Sequence, residues 1–166
     1  METLTAIATR KSVRAYLPEQ ISKDNLNTIL GAGSSAPVAL GDYGNVHFTV
    51  VQDKATLSML ADGDEKPFYG APTLVLISAK ATPYPNIEYF NTGCILQNMF
   101  ITATALGLGS TFISGASEVA QSNPDTLATL NLPQGYTPVA AAALGYAKTP
   151  LQETAGFKNK VSINQI

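Results

Sequence analysis

The 166-residue chain carries ten Lys and Arg against twelve Asp and Glu, a formal net charge of -2; only 13% of its residues are charged and 45% are hydrophobic. A chain of this size reads as one domain, residues 1–166, that buries a full core without metal or disulfide support, and so few charges leave apolar surface for a subunit interface. The absence of any basic block excludes the electrostatic footprint of a nucleic-acid binder, no apolar run is long enough to span a membrane, and the lone Cys94 allows no internal disulfide. Residues Met1 to Thr5 lack the basic and apolar regions of a secretion signal, so a cytoplasmic location is expected.

Leu4, Ile7 and Ala8 fall at helical intervals and predict a first helix over residues 2–9 that stops near Arg10. The run Arg10-Lys11-Ser12-Val13-Arg14-Ala15-Tyr16 follows and closes at Leu17-Pro18. In extended backbone, side chains two apart share a face, so Arg10, Ser12 and Arg14 point together and Val13 faces the body of the protein. Two guanidinium groups with a hydroxyl between them suit phosphate, or an anionic heterocycle joined to a sugar alcohol. The same run also reads as a solvated basic turn.

Ser22 caps a second helix whose apolar face is Leu26, Ile29 and Leu30, and Gly31 and Gly33 are expected to end it. Residues 34–45, with Pro37, Gly41, Asp42 and Gly44, read as an irregular loop leading into the β-branched strand Val46-His47-Phe48-Thr49-Val50-Val51. Asp53 caps a short helix reaching Leu60, and residues 62–67 form a charged turn. Ala71 to Ala79 is a continuous apolar run, as expected of a central strand covered on both faces.

Ile87 to Leu106 is the longest periodic segment and is apolar nearly all round, which predicts a helix buried in the middle of the assembly. Cys94, within it, reads as a small buried hydrophobe. Gly107-Leu108-Gly109 terminates the helix, and Ser110 to Gly115 follows as an extended piece. A helix from Pro124 to Leu130 precedes a last strand, Tyr136 to Tyr146, and the tail adds the cationic pair Lys158 and Lys160. A sheet sandwiched by helices uses all of these elements. His47, the only histidine, lies in an apolar strand and reads as structural rather than catalytic. One histidine and one cysteine make no metal cluster.

Three pieces of this sequence resemble the nitroreductase family of FMN-dependent oxidoreductases. Arg10 to Tyr16 is similar to the family's Arg-Arg/Lys-Ser-x-Arg-x-Phe opening. Asn91-Thr92-Gly93, Gln97-Asn98 and Ala105-Leu106-Gly107-Leu108-Gly109-Ser110 resemble its central dimer helix and the glycine turn after it, and Pro138-Val139 through Leu144-Gly145-Tyr146 resembles its last strand. The pieces run in the family's order across almost the whole chain.

The resemblance implies an α+β fold with a central, mostly antiparallel sheet flanked by helices, in an intertwined homodimer that binds FMN at two sites across the subunit interface. It sends Arg10 to the phosphate with Lys158 and Lys160, places Lys11 in the same cofactor-binding run, and gives Ser12 a hydrogen bond to the ribityl chain or phosphate. Arg14 falls beside N1 and the C2 carbonyl, where reduction deposits negative charge. Lys66 is a second candidate for that edge, or a solvated lysine in its charged turn. Ile113, Ser114 and Gly115 match the place where backbone amides face N5 and O4. Pro37, Val38 and Ala39 stand where the family usually has a Pro-Ser-Ser/Ala-x-Asn stretch, so they are expected to approach the flavin through backbone atoms.

The implied activity passes hydride from NADH or NADPH to flavin N5 and on to a nitroaromatic, quinone or similar small electron acceptor, with no side-chain acid or base required. Tyr43, Phe68 and Tyr69 could line the pocket or pack in the core. Two alternatives keep the flavin: a storage or redox-sensor protein with little turnover, and a dehalogenase or dehydrogenase of one metabolite.

Overall fold

In the computed structural model, which describes residues 1–166, four antiparallel strands lie between two sets of helices. The strands are β1 (Val46–Val51), β2 (Thr73–Lys80), β3 (Gly109–Ile113) and β4 (Tyr136–Gly145), in the order β1-β2-β4-β3. β2 and β4 are therefore the inner strands, which accounts for the apolar runs at 74–77 and 138–144 within them.

Alternation along β2 sends its residues into two cores. Leu74 and Leu76 join Ala141 and Ala143 beneath α3 (Lys54–Leu60) and α5 (Gly115–Ser122). Val75 and Ile77 join Ala140, Ala142 and Leu144 against α2 (Lys23–Ser34) and α4 (Ile87–Ala105). Leu74, Leu76 and Ile77 are 0% exposed, and fully burying each contributes about 1.5 to 3 kcal/mol. The β4 alanines are weak strand formers, yet they are small enough to let helices close over both faces of the sheet, and this burial outweighs propensity.

Several boundaries differ from the sequence expectation. α2 runs through Gly31 and Gly33 to Ser34 instead of ending at the glycines. At Gly33 a Cβ would fall 2.9 Å from Met99 Cγ, so the glycine serves close packing of α2 on α4 rather than termination. The loop before β1 contains two 3-10 turns, Ala39–Gly41 and Tyr43–Asn45. Ser114 and Gly115 do not prolong β3; they begin α5, a helix whose buried Ala116 and Ala120 are one turn apart. α1 (Thr3–Thr9) and α6 (Pro124–Thr129) lie where the sequence places them.

α4 is not covered all round within one chain. Ile95, Leu96 and Met99 are buried, whereas Tyr89 is 60% and Phe90 67% exposed on its first turns. Cys94 is exposed as well, which corrects its reading as a buried hydrophobe: it lies off the helix face that packs on the sheet. No helix is long and apolar enough to cross a membrane.

Candidate functional site

The basic opening is fastened along the edge strand β3. The α1 helix ends when the Arg10 amide donates to the Ala6 carbonyl at 2.9 Å, and the chain then extends. The Val13 amide donates to the Ser110 carbonyl at 3.0 Å, and the Thr111 hydroxyl donates back to the Val13 carbonyl at 2.6 Å. Further on, the Leu17 amide reaches the Tyr146 carbonyl and the Lys148 amide reaches the Ala15 carbonyl, each at 2.9 Å. A Cβ on Gly109 would lie 2.9 Å from Val13 Cγ2, so only glycine lets the run approach this closely.

Val13 and Tyr16 are consequently buried, while Lys11, Ser12 and Arg14 are exposed and Arg10 is half-buried. Burial pushes the Tyr16 phenol well above the ordinary tyrosine value; its hydrogen bond with Thr111 opposes that shift, and the proximity of Tyr69 adds to it. Tyr16 shares a core with Phe68 and Ile113, which line a neighbouring cavity.

That cavity, about 390 Å³, opens at the far end of β3. Lys66, Ile113, Ser114 and Gly115 line it together, although they come from distant parts of the chain. Leu60, Ala116 and Val119 supply apolar wall. Ser114 is the N-cap of α5 but makes no side-chain capping bond, and amides in a first helical turn have no intrahelical acceptor. Gly115 and Ala116, both in that turn, border the cavity. From Ser110 to Ser114 the strand rises about 13 Å. Ser12 is bridged in parallel to Ser110 near the start of β3, so the basic run lies along the strand that leads to these amides, and Lys66 adds a cation at the cavity itself.

A strained turn forms another part of the wall. Phe68 (φ 51°), Tyr69 (φ 64°) and Gly70 (φ 81°) adopt left-handed backbone in succession. Such geometry costs roughly 1–3 kcal/mol at each non-glycine residue. Phe68 anchors the turn in the core at 9% exposure, and Tyr69 is left 40% exposed at the cavity. Asp64 also lines the cavity, its carboxylate accepting from the Lys66 amide at 2.9 Å. Asp64 carries no signal in the sequence beyond its place in the same charged turn as Lys66.

The C-terminal tail returns to the start of the basic run. The Thr154 amide donates to the Thr9 hydroxyl at 2.9 Å, bringing the extended tail back beside Arg10. Lys158 and Lys160 follow in that tail and are exposed.

Pro37, Val38 and Ala39 are not brought to the same place. Val38 belongs to the core on the α2 and α4 side of the sheet, whereas Ile113 and Phe68 belong to the core on the other side. Val38 lines a separate hollow of about 220 Å³ with His47, and the Ala39 amide donates to Asn91 Oδ1 on α4 at 3.0 Å. His47 packs at 5.5 Å from the Tyr136 ring.

Exposed cations along the edge strand with a hydroxyl between them, and a further cation with first-turn amides by a cavity with apolar wall, fit a ligand that carries an anionic terminus and a planar head. Known proteins give the arrangement its context. A Bacteroides fragilis nitroreductase whose crystal structure contains bound FMN is 30% identical, with a TM-score of 0.78 over 99% of this chain and 100% of that one. A Desulfitobacterium hafniense nitroreductase, also with bound FMN, shares the fold at a TM-score of 0.82 and 23% identity, covering 99% of this chain and 100% of that one. An Archaeoglobus fulgidus protein, provisionally named an NADH dehydrogenase/NAD(P)H nitroreductase, is 29% identical over 152 residues, 89% of this chain and 86% of its own length. The Nitroreductase family model itself matches residues 7–64 and 56–146, a span that takes in the basic run, the cavity and every strand of the sheet, and on this ground the chain belongs to the nitroreductase family.

Proposed function

We propose that the protein is an FMN-dependent oxidoreductase that draws reducing equivalents from NADH or NADPH and delivers them to a nitroaromatic, a quinone or a similar small acceptor. The observation that carries this reading is the convergence of Lys66, Ser114 and Gly115 on one cavity, at the end of the strand whose start holds the Arg10 to Arg14 run. FMN, when bound, supplies the acceptance of hydride from a reduced nicotinamide and its return to an oxidised acceptor.

The chain's own residues bind, orient and tune. Arg10, with Lys11, Lys158 and Lys160 near it in the assembled site, neutralises the phosphate, since several cations are needed to offset a doubly charged group. Ser12 donates to the ribityl chain or phosphate. Arg14 and Lys66 hold positive charge where the ring becomes negative on reduction, and such preorganised charge stabilises the reduced state. The Ser114 and Gly115 amides, with Ile113 beside them, would donate hydrogen bonds to the ring's polar edge. Leu60, Ala116 and Val119, the apolar wall of the cavity, would limit the access of water to the bound ring.

Pro37, Val38 and Ala39 lie across the sheet from this cavity, so in the proposed homodimer they complete the partner's site rather than their own. A composite site of this kind makes cofactor binding depend on dimerisation. The direct test is FMN retention. Arg10→Ala is expected to weaken FMN about tenfold or more, the worth of a charge-assisted hydrogen bond, measured by fluorescence titration; wild-type affinity in that variant would remove Arg10 from the phosphate end.

A further inference from the structure

Segment 63–72 forms a ridge between two grooves. Lys66, Phe68 and Tyr69 line the 390 Å³ cavity. Gly63, Glu65, Pro67, Gly70 and Pro72 line a second hollow of about 500 Å³, and Asp64 borders both. α3 underlies the two of them, presenting Leu60 and Ala61 to the first and Lys54, Leu57 and Ser58 to the second. The left-handed turn at residues 68–70 gives the ridge its two faces, since it sends Tyr69 one way and Gly70 the other.

We propose that the second groove is the subsite for the adenosine half of the nicotinamide dinucleotide donor, and that Asp64 and Glu65 make NADH the preferred donor over NADPH. This rests on the reading of the first cavity as the flavin site. The donor has two ring systems joined by a pyrophosphate, and two grooves sharing one narrow border suit a molecule of that shape. Pro67 and Pro72, both half-buried in its lining, offer apolar surface to a purine. Lys54, on the second groove's side of the ridge, offers a cation to the pyrophosphate. A carboxylate accepts hydrogen bonds from a ribose diol but repels a 2′-phosphate, and Asp64 and Glu65 bring two carboxylates to this groove.

The test uses ADP-ribose, which carries the adenosine and pyrophosphate without the nicotinamide, titrated calorimetrically into FMN-supplemented protein. Saturable binding is expected, weakened about fivefold by Lys54→Ala, with the 2′-phosphorylated analogue binding at least about fivefold less tightly and Glu65→Gln narrowing that gap. In turnover, Lys54→Ala should raise KM for NADH and leave KM for reduced nicotinamide mononucleotide, which lacks the adenosine half, unchanged. Absence of saturable ADP-ribose binding, equal binding by Lys54→Ala, or equal shifts in KM for both donors would overturn the subsite. Failure of the flavin reading looks different: FMN would not stay on the protein, while ADP-ribose would still report on the second groove.

Discussion

Gly109 is where a single missing methyl group decides the position of the whole basic run. Its Cβ would meet Val13 Cγ2 at 2.9 Å and Cγ1 at 3.1 Å, and Val13 is held by hydrogen bonds on both sides of its peptide unit. Gly109→Ala is therefore expected to cost about 1–3 kcal/mol by overpacking and to displace Ser12 and Arg14, lowering FMN affinity in parallel. Urea unfolding and FMN titration of the same variant check both halves; unchanged values would mean that the run is not seated as described. The inward Val13 and outward Ser12 and Arg14 were legible from alternation alone, because a strand-like segment has a period of two. The left-handed Phe68 and Tyr69 were not. Nothing about two aromatic residues announces a backbone region that bulky side chains avoid, so the ridge between the grooves becomes visible only in three dimensions. Cys94 misled for a related reason: a helix apolar nearly all round hides which side meets its own sheet.

Helix ends and helix contacts follow the sequence where a polar side chain fixes them and depart from it where packing does. The Asp53 carboxylate accepts from the Thr56 amide at 2.8 Å and from the Thr56 hydroxyl at 2.9 Å, capping α3 as its sequence suggested. The Thr56 amide, followed by the Thr56 hydroxyl, holds the carboxyl below the ordinary aspartate value. A depressed value in the folded state means that the cap contributes stability above the ordinary aspartate value and loses it as pH falls through the lower folded value. The stability advantage of wild type over Asp53→Ala should accordingly shrink on acidification through that window, in urea midpoints measured from neutral pH downward; a constant difference would show that the charge plays no part in the cap. By contrast, Gly33 resembles a stop signal and is a packing contact, and α5 escaped notice because its small residues carry a helical pattern only in Ala116, Ser117 and Ala120. The strands were legible because apolar runs of strand length have few other uses.

At the scale of the molecule, the exposed residues of α4 and the sidedness of the site point the same way. Tyr89 and Phe90 are mostly exposed, Leu40 is 80% exposed near Pro37 to Ala39, and the tail leaves Phe157 and Val161 uncovered. A self-complementary contact between two copies would bury such surface and bring one copy's Pro37 segment toward the other's cavity. Met99 cannot report on that contact, because it is 0% exposed inside its own chain and packs on Gly33. Phe90→Glu is the informative change: sedimentation should give a folded monomer with weakened FMN binding, whereas an intact dimer would place the interface elsewhere.

An FMN-dependent NAD(P)H oxidoreductase must hold its flavin in a state that a nicotinamide can reduce. The most direct measurement is the visible absorption spectrum of the FMN-supplemented protein under anaerobic conditions, before and after NADH and NADPH are added. A bound-flavin spectrum that bleaches within the time of mixing, faster with NADH, is the expected result. Retention of FMN without bleaching by either donor would contradict the oxidoreductase reading in favour of storage or sensing, and failure to retain FMN at all would contradict the site.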